Sequence, residues 1–288
     1  MLKEWPLVAF TVAGQMAAGI FFLVNIPMLL TRGTPYAART EWWLISLALA
    51  GGLMVLAALL SFFHLHHPLR ARRVLSNMRT SWLSREIFFE LGFIALVVLA
   101  VFLALRAPAR SGFLTGVLIA ASIAGILFLV SMSKLYMLPS VPIWNQAYTP
   151  LSFTLTALNL GAMTTAFVTR FRSIPRDYST IFLFLSFFCV GVEILIALFI
   201  APRHGLYGFR PGPSLRPPDK TPRLLHLGRL TFLAAGLLLL GAALIPKGDW
   251  TSAAPGPNGL LVMAFVLVLA GEVAGRFLFY GLLARPGR

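Results

Sequence analysis

Read from the N-terminus, the chain is a succession of long apolar stretches that lack the two-residue alternation of a half-buried strand. Stretches devoid of Lys and Arg cover 6–30, 42–63, 87–105, 113–133, 151–169, 180–201 and 230–245, with an eighth at 260–283 broken by Glu272 and Arg276. A bilayer core about 30 Å thick is crossed by roughly 20 residues at 1.5 Å each, so every stretch predicts one crossing. Lipid offers no partner to open backbone groups, which makes these crossings helices. A membrane barrel would alternate apolar and polar positions, and these stretches do not. The expectation is all-α: a polytopic membrane protein, one membrane-embedded domain over 1–288 built as a bundle of eight transmembrane helices. Lys3 leads straight into the first stretch without the short apolar core and small-residue cleavage site of a secretory signal, which predicts an uncleaved first helix.

The longer connections are 64–85, 134–150 and 202–229, none of them long enough to be a soluble domain. Each joins an even-numbered helix to the next odd one, so all three emerge on one side, together with both termini. That side carries fifteen Lys and Arg outside the stretches, against eight on the other. The positive-inside rule then predicts cytoplasmic termini and long loops. Composition agrees with the pattern: 58% hydrophobic and 11% charged residues, with a mean hydropathy of +0.84. A soluble domain carries roughly 25% charged residues. The net charge of +15 arises mostly between the stretches, which points to anionic lipid or an acidic partner and not to nucleic acid. The lone Cys189 excludes a disulfide framework and a thiolate cluster in this chain.

Few residues carry candidate chemistry. Ionisable groups within lipid usually face the bundle interior, so the carboxylates in or beside the stretches stand out. Glu86 and Glu90 open the third stretch at i, i+4 and so share a face, with Glu90 also compatible with a position near the headgroups. Glu272 and Arg276 have the same spacing, which predicts a structural ion pair or, alternatively, part of a proton path. Glu193 has no partner at helical spacing and joins them as a proton-path candidate. His64, His66 and His67 end the second stretch, while His204 and His226 fall in the sixth connection. None lies mid-stretch, where a membrane haem takes its axial ligands, and nothing near the cluster completes a zinc ligand pattern, so neither haem nor metal is expected in this chain. Ser84-Arg85-Glu86 begins the third stretch on the same side as His64. A histidine and a carboxylate meeting there suit quinol oxidation, in which two protons leave with two electrons and each hydroxyl needs an acceptor. From spacing alone this is one reading among several.

The order of short motifs adds to it. Glu4-Trp5-Pro6-Leu7, Phe10-Thr11 and Gly14-Gln15 are followed by His64-Leu65, Pro68-Leu69-Arg70-Ala71 and Leu83-Ser84-Arg85-Glu86-Ile87. Then come Tyr136, Val141-Pro142, Trp144, Pro150, Gly271-Glu272, Gly275-Arg276 and Phe279-Tyr280-Gly281-Leu282. In this order and spacing the chain resembles the haem-free membrane anchor subunit of the dimethyl sulfoxide reductase family of molybdopterin oxidoreductases, over essentially its whole length. The resemblance implies a menaquinol- or quinone-reactive subunit with His64 and Glu86 as the reactive pair. Arg70 and Arg229, the latter entering the seventh helix, join them as quinone-binding residues. His66 stands where the family typically has glycine, a departure that alters the pocket. The resemblance also implies two partners: an iron-sulfur electron-transfer subunit, and a catalytic subunit holding molybdopterin guanine dinucleotide. The basic loop with Arg70, Arg72, Arg73 and Arg79 suits docking of an acidic partner surface. The setting implied is a bacterial inner membrane and anaerobic respiration of dimethyl sulfoxide-like acceptors, or the reverse direction, as in sulfite or formate oxidation. The alternatives are a secondary transporter, disfavoured because no pair of broken helices occupies corresponding positions in two halves, and a purely structural anchor.

Overall fold

The computed structural model describes residues 4–30, 41–62, 77–106, 112–141, 144–171, 176–200, 220–245 and 257–281. They form eight long helices: α1 Trp5–Leu30, α2 Glu41–Phe62, α3 Trp82–Arg106, α4 Gly112–Tyr136, α5 Tyr148–Phe171, α6 Arg176–Leu195, α7 Lys220–Leu244 and α8 Pro257–Gly281. A π turn, Ile196–Ile200, extends α6. All eight are long and apolar enough to cross a membrane, and no strand occurs among the described residues. The chain is a multi-pass membrane protein.

Contacts sort the helices into two sets of four. α1–α4 pack as α1 on α2, α2 on α3 and α3 on α4, and α5–α8 repeat that order. The sets meet chiefly along α1 and α5, the two most buried spans. Their closeness has a simple cause. Helices in lipid gain little from burying apolar side chains, because lipid is equally apolar, and associate through close packing of small residues. Gly19 on α1 and Gly161 on α5 face each other with backbones touching: a Cβ on Gly161 would sit 2.5 Å from the Gly19 carbonyl carbon. Phe88, Phe102, Phe113, Ile123 and Phe188 are exposed and form part of the lipid-facing surface.

The sequence pattern finds the eight helices and places their N-terminal ends too far inward. α3 begins five residues before 87, with Ser81 as its N-cap: the Ser84 N–H donates to Ser81 Oγ at 3.3 Å. Glu86 therefore lies inside the first turns of α3 and not at its threshold. α7 begins ten residues before 230, so Arg229 and His226 lie within the helix. Lys and Arg were the residues that bounded the apolar stretches, yet Arg229 is buried, and so is His226.

Candidate functional site

At the end of the bundle where α1 and α3 begin and α2, α4 and α8 finish, the helices surround a cavity of about 550 Å³. Part of its lining is an aromatic cluster. Tyr136 ends α4, and the Trp144 indole that follows stacks on Phe279 of α8, with centroids 4.9 Å apart and planes at 13°. Trp144 Nε1–H donates to the Phe279 carbonyl oxygen at 3.0 Å, fastening the α4–α5 connection to α8. Tyr136 lies 5.3 Å from Tyr280, ring to ring. The start of α3 also lines the cavity. Arg85 anchors the turn before it, donating to the carbonyl oxygens of Met78 at 2.9 Å and Arg79 at 2.7 Å, with its guanidinium 4.2 Å above the Trp82 ring. Arg85 is thus occupied structurally, and its neighbour Glu86 turns inward.

Glu86 and Glu90 both line the cavity and are 2% and 3% exposed. Glu90 does not face the headgroups: Phe88 and Leu91 take the lipid side, while Glu86, Glu90, Phe93 and Val97 form the inward stripe. Glu86 Oε1 and Glu90 Oε1 are buried without a hydrogen-bond partner. Leaving such a group unmatched costs about 1–3 kcal/mol each. Both side chains border this one cavity, whose lining is otherwise mostly apolar and aromatic.

Motifs far apart in sequence converge here. Glu4, Leu7 and Phe10 come from the first, Leu83, Glu86 and Ile87 from the third, and Tyr136, Trp144 and Tyr280 from the last group. Ser61 of α2 also lines the cavity; His64, three residues on, and Arg70 lie outside the described residues.

A second polar cluster lies between α1, α5, α6, α7 and α8, and the remaining candidates are there. Arg229 is absent from the cavity wall and forms a buried ion pair with Glu193, Nη2 to Oε2 at 3.1 Å, while its Nη1 donates to the Tyr148 hydroxyl at 3.3 Å. Glu193 thus has a partner, supplied by another helix, that helical spacing could not reveal. Glu272 and Arg276 share a face but make no direct pair. Glu272 accepts from Thr156 Oγ1 at 2.9 Å and Asn159 Nδ2 at 3.1 Å, and Asn159 Oδ1 accepts from Ser186 at 2.6 Å. Arg276 donates to Gln15 Oε1 at 2.7 Å and Thr156 Oγ1 at 2.9 Å, with its guanidinium 3.9 Å above the Phe153 ring. Thr156 therefore stands between the two charges. Tertiary partners displace the intrahelical pair because α1 and α5 press polar groups against this face of α8. Tyr136, Trp144, Tyr280, Gln15, Thr156 and Asn159 were not singled out as site residues, although polar residues inside apolar stretches are a usable signal. Among the described residues no three His, Cys, Asp or Glu side chains converge on a metal position.

Comparison with known proteins agrees with the motif order. The family model described as "DMSO reductase anchor subunit (DmsC)" matches residues 1–282. The anaerobic dimethyl sulfoxide reductase protein YnfH of Escherichia coli (strain K12) is 30% identical, the match covering 97% of this chain and 94% of that one. The C subunit of the Haemophilus influenzae anaerobic dimethyl sulfoxide reductase is also 30% identical, over 98% of this chain and 95% of its own length. Its counterpart in the Escherichia coli enzyme is 28% identical over 97% and 94%. No solved structure matches the chain. A family match over nearly the whole length, with relatives 30% identical across it, makes this chain a member of the dimethyl sulfoxide reductase anchor subunit family.

Proposed function

We propose that the chain holds a molybdenum oxidoreductase at the bacterial inner membrane and exchanges electrons with a quinone pool, oxidising menaquinol in the cavity beside Glu86. The observation that carries this reading is the pairing of an apolar cavity of about 550 Å³ with buried, unpartnered carboxyl oxygens in a membrane-spanning bundle. A quinol has that character: a lipid-soluble body and two hydroxyls that need acceptors. Glu86 and His64 accept a proton at the mouth, Arg70 lies in the adjoining connection, and the electrons leave to an iron-sulfur subunit and on to a molybdopterin catalytic subunit. Arg229 supports the site from the neighbouring polar cluster. The loop and terminal charges favour a cytoplasmic position for the cavity end, and the exposed Arg79 belongs to the basic surface offered to a partner.

The test is reduction of the partner's clusters by a menaquinol analogue in the purified complex, comparing wild type with His64→Ala and Glu86→Gln. Both variants should assemble, accept electrons from a soluble dye at the catalytic subunit, and lose quinol-driven reduction by about 100-fold or more. Wild-type rates in both would remove the site, and a complex that oxidises no quinol would remove the function.

A further inference from the structure

Glu86 is not alone on its face of α3. Glu90 lies one turn further in, on the same inward stripe, with one carboxyl oxygen buried and unpartnered and the side chain on the cavity wall. Residues four apart on a helix hold their Cβ atoms about 5–6 Å apart, which is close to the span between the two para oxygens of a quinol ring. Tyr280 lines the same cavity from α8. A structural role would leave Glu90 matched within the protein, as Glu272 is at both carboxyl oxygens and Glu193 at one, by Arg229, in the neighbouring cluster. It has no such match.

We propose that Glu90 is a second catalytic carboxylate, accepting the proton of the quinol hydroxyl that points into the membrane while Glu86 serves the hydroxyl at the mouth. This rests on the quinol reading of the cavity. In the oxidising direction two quinol O–H bonds break and two acceptor–proton bonds form, one on Glu90 and one at the mouth. The two electrons go to the oxidised iron-sulfur partner, leaving quinone. In the reducing direction the same carboxyls return the protons.

The experiment uses the intact three-subunit complex and a menaquinol analogue. Glu90→Gln preserves shape and burial and removes the proton acceptor, and is expected to lower cluster reduction by about 100-fold. The affinity for a quinol-like inhibitor should change by no more than about threefold, because substrate and inhibitor are still recognised by shape. Glu90→Asp keeps a carboxyl and should retain more activity than Glu90→Gln. In Glu90→Ala, added acetate supplies a diffusible carboxylate that donates no electrons and should restore at least about tenfold of the lost rate. A Glu90→Gln rate within about twofold of wild type overturns the proposal; so does loss of inhibitor binding in Glu90→Gln and Glu90→Ala without rescue by acetate, which would make Glu90 a packing residue. Failure of the cavity reading is separate: Glu86→Gln would then also turn over normally and the inhibitor would not bind.

Discussion

Adding one methyl group at Gly161 should be among the most damaging small changes available in this protein. The methyl would sit 2.5 Å from the Gly19 carbonyl carbon and 2.7 Å from its Cα, and ordinary contact begins near 3.4 Å. The obstruction is backbone on both sides, so nothing can rotate out of the way and α1 must retreat from α5 by about 0.9 Å. Gln15 lies one turn earlier on α1, bonded at 2.7 Å to the Arg276 guanidinium, which also bonds Thr156 of α5. The same retreat stretches the Gln15 bond to about 3.6 Å, outside hydrogen-bonding range. Overpacking of this kind costs about 1–3 kcal/mol, and a lost bond to a charged group adds roughly 1.5–3 kcal/mol. Alanine's better helix propensity returns up to about 1 kcal/mol. The net loss for Gly161→Ala is about 1.5–5 kcal/mol. Cys189, the only cysteine and 2% exposed, reports the outcome: a fluorogenic maleimide labels it when detergent-solubilised protein unfolds on heating. Gly116→Ala on α4 is the control, since a Cβ there meets nothing within 4 Å. Gly161→Ala should label at a clearly lower temperature than wild type, and Gly116→Ala at the same temperature or slightly higher. Equal transitions for the two alanine variants would refute the claim that backbone contact between α1 and α5 holds the halves together.

Two further outcomes follow from the polar clusters. Glu193→Leu leaves Arg229 buried without its 3.1 Å partner and should cost about 3–5 kcal/mol, whereas Glu193→Leu combined with Arg229→Leu should cost less than either change alone; strictly additive losses in the same melting assay would show that the pair is not coupled. Trp144→Phe retains an aromatic ring against Phe279 but loses the 3.0 Å bond to its carbonyl oxygen, a loss of about 1 kcal/mol that should also weaken binding of a quinol-like inhibitor; unchanged affinity would detach this aromatic cluster from the cavity.

The eight crossings were legible because lipid forces the pattern: an apolar run of the right length has little choice but to be a helix. Which face of each helix turns inward was not legible from apolar residues, since lipid and protein interior are alike to Leu or Phe. On α3 the polar exceptions carry that information. Glu86 and Glu90 at i, i+4, continued by Phe93 and Val97, define the buried stripe, and Phe88 and Leu91 are left to lipid. Helix ends were misjudged where a basic residue was treated as a boundary, as at Arg229, whose charge is accommodated inside by Glu193.

The pairing of the remaining charges could not be read from spacing at all. Glu272 and Arg276 stand one turn apart, yet their partners are Thr156, Asn159 and Gln15, residues more than one hundred positions away. What separates the two polar clusters is visible only in three dimensions. Around Thr156 each charged side chain has a protein partner within 3.1 Å, although Glu193 keeps one buried carboxyl oxygen without one. Around Glu86 one carboxyl oxygen each of Glu86 and Glu90 is buried without a partner, and both side chains border open volume. Sequence spacing made the two clusters look equivalent, and only the partners their carboxylates find in three dimensions, with the open volume beside Glu86 and Glu90, tell them apart.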